Sequence, residues 1–284
     1  MTFHGLNHRR LSVSWSSHLD AATWHTSDQV AGIQHDPLSR HMRTKHAIRL
    51  VLIAIAAIAS WQTSAQQPVE LHHRLAGQDV EQKRVALTLD ACSGQYDDDL
   101  IEFLIRNAIP ATIFATKRWL DHNPRGVSII KAHLDLFDVE DHGENHVPAV
   151  IGRGRKVYGI PGEPDLIHLR REVTAGGKAV EQIIGVAPHW YRGATGEYDR
   201  QAIEEIGKLG YKVAGFSINA DAGATLKRRA IEERLGHVKG GDVIIAHMNK
   251  PASESAEGLA VALAGLLRKG FIFVRLDQVE LEEI

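Results

Sequence analysis

The sequence predicts an α/β fold of parallel strands with helices packed outside them, arranged as a distorted (β/α)7 barrel. Short apolar runs alternate with longer stretches of helical periodicity through residues 66–284. Seven such runs with six helical stretches between them suit a closed or nearly closed barrel. Polar residues of reactive types also follow the same end of several runs. An open doubly wound sheet is the alternative arrangement of these elements.

Each element is predicted from its local pattern. The strand predictions are 84–89, 111–115, 136–139, 189–191, 212–217, 242–246 and 271–274. The helix predictions are 98–107, 125–133, 165–184, 199–209, 226–239 and 255–269. Residues 97–99 are all aspartate and suit the start of the first helix, where carboxylates meet the positive end of the helix dipole. Gly210 and Gly270 each follow the end of a helix. The Gly- and Pro-rich stretch 147–165 predicts a long loop, of the kind that often covers a functional site.

Composition places the chain among ordinary globular proteins. Hydrophobic residues make up 44% and charged residues 24%, with a formal net charge of -2. No basic footprint for nucleic acid or for an acidic membrane surface is present. The single cysteine, Cys92, excludes an internal disulfide.

The N-terminal region has the pattern of a processing segment. Residues 42–65 combine a basic start, an apolar run and small residues before Gln66, which is typical of a secretory signal peptide. The apolar run is shorter than the ~20 residues of a membrane span. An uncleaved anchor and a buried helix are the alternatives. Residues 1–41 are polar and aperiodic, and we interpret them as a disordered, non-native upstream extension, with translation beginning at Met42. Residues 66–284 then form a single catalytic domain that is secreted or periplasmic.

Reactive side chains follow five of the predicted strands. They are Asp90, His142 with His146, Arg192, Asp221 (or Asn219) and His247. In parallel α/β barrels the functional residues gather at the carboxyl ends of the strands. We therefore expect these side chains to meet at one mouth of the barrel.

Five motifs resemble those of the polysaccharide deacetylase (NodB-homology) family and occur in the family's order. They are RVALTLDAC at 84–92, DHGENHVP at 141–148, YRGATGEYD at 191–199, FSINADAG at 216–223 and GDVIIAHMN at 241–249. The resemblance extends over about 84–280. It implies a metal-dependent hydrolase that acts on non-peptide carbon–nitrogen bonds, removing N-acetyl groups from a glycan such as peptidoglycan or an exopolysaccharide.

The histidine pair predicts a metal site. His142 and His146 are four residues apart, so a helical turn would place both rings on one face. Their nitrogens suit Zn²⁺, the divalent metal that we expect. The family's third ligand is the second carboxylate of a T-F-D-D motif, and here that position is Ala91.

Four outcomes follow from the missing carboxylate. Asp90 could turn to the metal, and we assign it with His142 and His146 as a metal ligand. Asp141 or Glu144 could supply the ligand instead. Cys92 could bind as a thiolate. The fourth outcome is weakened or lost metal binding.

The resemblance also implies the roles of the remaining residues. Asp90 is the general base, His247 the general acid, Arg192 orients Asp90, and Asp221 (or Asn219) holds the His247 ring. The backbone N–H of Tyr191 would assist the metal at the oxyanion. The aromatic faces of Trp190 and Tyr191 suit a sugar ring, or else they fill the barrel rim.

Two other functions remain open from the sequence. One is a noncatalytic carbohydrate-binding barrel that lost a ligand at Ala91. The other is a hydrolase of a different non-peptide amide. Retention of both Asp90 and His247 favours an enzyme, because binding a glycan requires neither.

Overall fold

A computed structural model describes residues 67–77 and 81–284. The predictions for the upstream extension and the signal peptide lie outside the described residues. Among the residues described, no helix combines the length and hydropathy that crossing a membrane requires.

The strands and helices follow the predicted alternation. The strands are β1 (Val69–Glu70), β2 (His73–Leu75), β3 (Arg84–Ala91), β4 (Ala111–Ala115), β5 (Phe137–Asp141), β6 (Lys156–Val157), β7 (Ile160–Pro161), β8 (Trp190–Tyr191), β9 (Glu197–Tyr198), β10 (Lys212–Val213), β11 (Ile218–Asn219), β12 (Val243–His247), β13 (Ile272–Val274) and β14 (Leu281–Glu283). The helices are α1 (Asp98–Arg106), α2 (Lys117–His122), α3 (Pro124–Lys131), α4 (Leu166–Ile184), α5 (Arg200–Lys208), α6 (Arg228–Gly236) and α7 (Ser255–Arg268). Helix α2 and the short strand pairs were not predicted.

The central sheet has eight parallel strands in the order β10-β8-β5-β4-β3-β12-β11, and β13 also pairs with β3. Its two end strands belong to one continuous segment, residues 212–219. The segment starts beside β8, where the N–H of Ala214 donates to Tyr191, and ends beside β12, where the N–H of Ser217 donates to Val243. The hydrogen-bonded ladder therefore returns on itself through an interrupted strand, which confirms the distorted barrel.

Strand β3 explains how the core divides into two layers. Val85, Leu87 and Leu89 pack in the cluster beneath the outer helices, while Ala86 belongs to a second cluster with Phe114. Successive side chains of a strand point to opposite faces, so the odd positions face the helices and the even positions face the barrel interior. This alternation directs Asp90 inward.

Local capping fixes where the helices begin and end. The Asp97 carboxylate accepts from the N–H of Leu100 at 3.1 Å and caps α1, as the aspartate run predicts. Helix α4 begins after the Asp165 cap and ends at Gly185, whose φ of 98° lies in the left-handed region. These local signals are strong enough for the sequence to locate α1 and α4 closely.

The predicted long loop contains a short hairpin. Within 147–165, β6 and β7 pair antiparallel, and Tyr158 stands at the turn with φ of 50°. The Tyr158 hydroxyl donates to Glu197 Oε1 at 3.2 Å, which ties the hairpin to β9. The loop therefore has a defined conformation of its own.

Candidate functional site

Parallel pairing brings the strand-end residues together. β12 lies beside β3 in a register that places His247 opposite Asp90. β5 runs into His142, and β8 runs into Arg192 beside it. Four strands thus deliver side chains to one mouth of the barrel, as the sequence predicts.

A cavity of about 620 Å³ opens at this mouth. Its lining includes Asp90, Cys92, His146 and His247, together with Tyr158 from the hairpin turn. This volume is typical of small-molecule sites.

Trp190 and Tyr191 do not line this cavity, although their aromatic faces suggested a sugar platform. Trp190 is 6% exposed and packs in the barrel interior, and Tyr191 is fully buried in a third apolar cluster. Both lie in β8, whose two faces are covered, so their rings serve packing. The exposed aromatic ring beside the cavity is Tyr158, which the sequence reasoning missed because its loop gave no periodic signal.

Asp90 is held by a buried guanidinium. Arg192 Nη1 donates to Asp90 Oδ1 at 2.9 Å and to Thr88 Oγ1 at 2.8 Å, and the Arg192 guanidinium lies 4.2 Å from the centre of the Phe114 ring. Burial alone would raise the pKa of Asp90, but the charges of Arg192, His142 and His247 together hold that pKa below its ordinary value. Asp90 is therefore a carboxylate at neutral pH.

His142 presents one nitrogen to the cavity side. Its Nδ1–H donates to the carbonyl of Arg192 at 2.6 Å, which fixes the ring orientation and directs Nε2 toward Cys92 and Asp90. Nε2 lies 3.4 Å from Cys92 Sγ and 3.7 Å from Asp90 Oδ2. Burial opposes the charged ring, but Asp90 and Cys92 outweigh it and raise the pKa of His142 to about 9.

The two histidines of the pair meet without a helical turn. Their ring centres are 4.9 Å apart with planes at 62°. His146 has φ of 67° and Gly143 has φ of 88°, so these two residues lie in the left-handed region and the segment does not form a regular helical turn. The expected helical spacing is wrong here, yet the rings converge.

Helix α4 supports this turn from below. Glu172 Oε1 accepts from the backbone N–H groups of Asn145 at 2.8 Å and Val147 at 3.1 Å. A Cβ at Gly176 would collide with the Asp141 carboxylate and the Gly143 backbone, so glycine permits the close approach of the helix. No sequence pattern distinguishes Glu172, because it lies within a regular helical pattern.

His247 is held by Asp221. The Nδ1–H of His247 donates to Asp221 Oδ1 at 2.8 Å, while Asp221 Oδ2 accepts from the His247 backbone N–H and from Ser255 Oγ, each at 2.9 Å. Burial lowers the pKa of His247, but Asp221 and Cys92 raise it more, so the pKa lies well above its ordinary value. Asn219 instead accepts from the N–H of Ala222 in the following turn. Of the two residues considered, Asp221 is the one in contact with the ring.

Cys92 lies between the two sets of side chains. One possible ligand group is Cys92 with His142 and His146, and another is Cys92 with Asp90 and His247, each with donor atoms within 4.8 Å of one another. Burial would raise the pKa of the Cys92 thiol, but the neighbouring histidines hold it well below its ordinary value.

The other acids considered as ligands are engaged elsewhere. Asp141 Oδ1 accepts from the N–H of Gly143 at 2.8 Å, and Glu144 lies 3.5 Å from Arg171 Nε. Neither belongs to a ligand group found among the described residues, 67–77 and 81–284. Ala91 is fully buried in the layer beneath the helices.

Comparison with known proteins decides the family. The sequence model described as polysaccharide deacetylase matches residues 77–214. Those residues belong to the polysaccharide deacetylase family. The match ends before the last two motifs, and the structure brings their residues, Asp221 and His247, to the same mouth as Asp90.

One curated relative of this polysaccharide deacetylase domain is the uncharacterized protein YlxY of Bacillus subtilis (strain 168). It is 22% identical over 179 residues, which cover 60% of this chain and 49% of the relative. The chain therefore spans about half the length of the curated relative that it matches.

Solved structures of deacetylases share the fold. The Bc1960 peptidoglycan N-acetylglucosamine deacetylase has a TM-score of 0.60 at 18% identity, covering 72% of this chain and 90% of that one. PdaA of Bacillus subtilis, a family 4 carbohydrate esterase, has a TM-score of 0.58 at 17% identity, covering 72% and 82%. BA3943 of Bacillus anthracis, described as a pseudoenzyme of the same family, has a TM-score of 0.56 at 16% identity, covering 70% and 66%. The fold thus occurs both in deacetylases and in a pseudoenzyme, so activity has to be argued from the residues.

Proposed function

We propose that this chain is a metal-dependent hydrolase that removes N-acetyl groups from a glycan, with peptidoglycan and exopolysaccharide as the substrate classes. The observation that carries the proposal is the pair Asp90 and His247, which lie opposite each other on neighbouring strands at one cavity. Each is held by its own buried partner, Arg192 for the first and Asp221 for the second. A glycan-binding surface would need neither pair.

The two side chains favour opposite protonation states. Asp90 has a lowered pKa and is ionised, while His247 has a raised pKa and carries a proton. Environments that separate the pKa values of two groups assign one as base and the other as acid. Asp90 therefore accepts a proton from the attacking water, and His247 donates one to the departing amine nitrogen.

The histidine pair fits a divalent metal. His142 offers a buried Nε2 whose ring is fixed by the Arg192 carbonyl, and His146 lies beside it. Two imidazoles with a thiolate or carboxylate neighbour form a donor set that suits Zn²⁺. Bound there, the metal would polarise the amide carbonyl and lower the pKa of its bound water to near neutral pH.

The chain's own residues then complete the reaction. Water adds to the carbonyl carbon as Asp90 takes its proton, and the carbon–nitrogen bond breaks as His247 protonates the nitrogen. The products are the free amine of the sugar and acetate. Arg192 and Asp221 act as positioning residues, since each orients the group that moves a proton.

The cavity supports a sugar as the substrate. Tyr158 is 76% exposed at its edge, and Ile160 of the same hairpin lines it. Aromatic rings that present a flat apolar face beside polar groups suit pyranose rings. We also propose that the mature chain is secreted or periplasmic, which rests on the signal-peptide pattern of 42–65.

The test measures metal content and acetate release from N-acetylglucosamine oligomers. The parent should hold one equivalent of metal and release acetate. His142→Ala should lose both metal and activity, whereas Asp90→Asn should lose activity and keep metal. His122→Ala and Asp121→Asn, which change two exposed residues of α2, are the matched controls and should behave as the parent.

A noncatalytic glycan-binding barrel is the second candidate, and the burial of Ala91 where the family has a ligand carboxylate favours it. A parent that binds the oligomers but releases no acetate under any metal would support this candidate and refute the hydrolase. A parent that cleaves small amides and ignores glycans would instead indicate a different amide substrate. If Asp90→Asn strips the metal, Asp90 is a ligand and the base assignment is wrong.

A further inference from the structure

The structure excludes position 91, where the family carries a ligand carboxylate, as the source of the third metal ligand. Ala91 packs in the apolar layer with Leu87 and Leu89 and is fully buried. Asp90 and Cys92 flank it in sequence, and both line the cavity. The choice of a third ligand therefore falls on these two neighbours.

Asp90 is already committed to another partner. Its Oδ1 accepts the Arg192 guanidinium at 2.9 Å, and that guanidinium is also held by Thr88. Its Oδ2 lies 3.7 Å from His142 Nε2, but Asp90 forms no ligand group with both His142 and His146. A carboxylate that neutralises a buried arginine loses that pairing if it turns to a metal, which leaves the arginine charge uncompensated.

Cys92 has the position that a ligand requires. Its Sγ lies 3.4 Å from His142 Nε2 and within 4.8 Å of the nearest ring nitrogen of His146. With Zn–S near 2.3 Å and Zn–N near 2.1 Å, tetrahedral angles separate sulfur and nitrogen by about 3.6 Å. The observed separation of 3.4 Å between Cys92 Sγ and His142 Nε2 is close to this value, and the donor atom of His146 lies within 4.8 Å of both.

The backbone at Cys92 is also fixed. Thr116, the residue that caps α2, donates its hydroxyl to the Cys92 carbonyl at 2.5 Å. The same Thr116 caps the helix through the N–H of Trp119 at 2.9 Å. The thiol is therefore presented to the histidines by a rigid connection between β3 and α2, and the ligand is preorganised.

We propose that Cys92 is the third protein ligand of the metal, so that His142, His146 and Cys92 form an N₂S site and Asp90 remains free as the base. The inference rests on the proposed metal-dependent function. A thiolate in the donor set favours borderline and soft ions such as Zn²⁺, Co²⁺ and Cd²⁺ over Mg²⁺, Mn²⁺ and Ca²⁺. The substitution at Ala91 then changes the metal preference of the site and leaves its proton-transfer groups intact.

The experiment uses Co²⁺ as the probe with the full chain. Cys92 is the single cysteine of the sequence, so any thiolate-to-metal charge-transfer band in the near ultraviolet comes from it. One equivalent of Co²⁺ should produce this band, and Zn²⁺ should abolish it by displacement. A Co²⁺ complex of the parent without the band overturns the inference, whatever the variants do.

Two variants sharpen the result. Cys92→Ser should lose the band and bind Zn²⁺ at least ~10-fold more weakly. Mutating a residue that only hydrogen-bonds a metal ligand already costs about 10-fold in metal affinity, and losing a ligand should cost at least as much. Cys92→Asp, which restores a carboxylate, should bind metal without the band. Cys92→Ser with unchanged affinity and an unchanged Co²⁺ spectrum would overturn the inference.

The outcomes separate this inference from the proposed function. A band without acetate release supports the thiolate ligand and refutes the deacetylase. Acetate release by a metal complex that lacks the band refutes the thiolate ligand and supports the deacetylase. A parent that binds no metal refutes both.

Discussion

The buried pair of Arg192 and Asp90 predicts a large and specific stability effect. Arg192→Met removes the guanidinium but keeps an apolar stem that can lie against the Phe114 ring, which the guanidinium now contacts at 4.2 Å. The change leaves the Asp90 carboxylate, 4% exposed, without its strongest partner. Asp90 should then become easier to protonate, because the first of the charges that lower its pKa is gone.

The size of the effect follows from the burial of both groups. Breaking a buried ion pair by removing one partner costs about 3–5 kcal/mol. For a domain of this size the corresponding fall in melting temperature is roughly 6–20 °C, at about 2–4 °C per kcal/mol. Removing Asp90 instead should also be costly, because the buried Arg192 guanidinium cannot lose its charge and keeps only its hydrogen bonds to Thr88, Ala214 and Gly215.

A double-mutant cycle measures this directly. Denaturant unfolding of Arg192→Met, Asp90→Asn and the double variant should give a double-variant loss smaller than the sum of the single losses. Arg125→Met is the control, since Arg125 pairs with Asp98 at the surface and should cost roughly 0–1 kcal/mol. An Arg192→Met loss within ~1 kcal/mol of that control, or strict additivity, would refute the argument that this pair is a buried, coupled unit.

Three further predictions concern other contacts. Asp221→Asn should lower kcat on the order of 10²–10⁴-fold with little change in KM, because an amide no longer fixes the proton on His247 Nδ1. Steady-state kinetics with the pH profile of kcat checks this, and an unchanged kcat would contradict it. If the exposed Tyr158 ring is a sugar platform, Tyr158→Phe should retain oligomer binding and Tyr158→Ala should raise KM with kcat nearly unchanged. Equal effects of both variants would assign the role to the hydrogen bond between the Tyr158 hydroxyl and Glu197. Burial raises the pKa of Glu140 from 4.5 to about 8, so its contribution to stability is present below pH 4.5 and is lost as the pH rises to 8. The melting temperature of the parent should therefore fall over this range, and Glu140→Gln should flatten the fall. A parent whose stability rises from pH 4.5 to 8, with the variant following it, would show the sign to be wrong.

The sequence was most informative where structure depends on neighbouring residues. The strand prediction 111–115 coincides with β4, and the prediction for α4 differs from the observed Leu166–Ile184 by one residue at its start. Apolar runs, caps and helix-ending glycines act within a few residues, so they can be read from a single chain. Helix α2 was missed because its six residues are too few to show a period.

Some features of the candidate site could likewise be predicted from the sequence and others could not. The convergence of Asp90, His142, Arg192 and His247 was predicted from the sequence, since each follows a strand and parallel strands end at a common face. The suggestion that Trp190 and Tyr191 form a sugar platform was wrong. Both rings are buried, and burial on the two faces of β8 depends on which elements cover the strand.

The sequence by itself determined the alternation of strands and helices, the positions of the candidate site residues at the strand ends and the absence of a carboxylate at Ala91. Only the tertiary structure decided which of them touch: that Asp221 and not Asn219 holds His247, that Glu172 supports the histidine turn from another helix, and that Cys92 lies within ligand distance of both histidines. These contacts join residues far apart in the chain. Their distances depend on strand register and helix packing, which are fixed by the whole core and not by any local pattern.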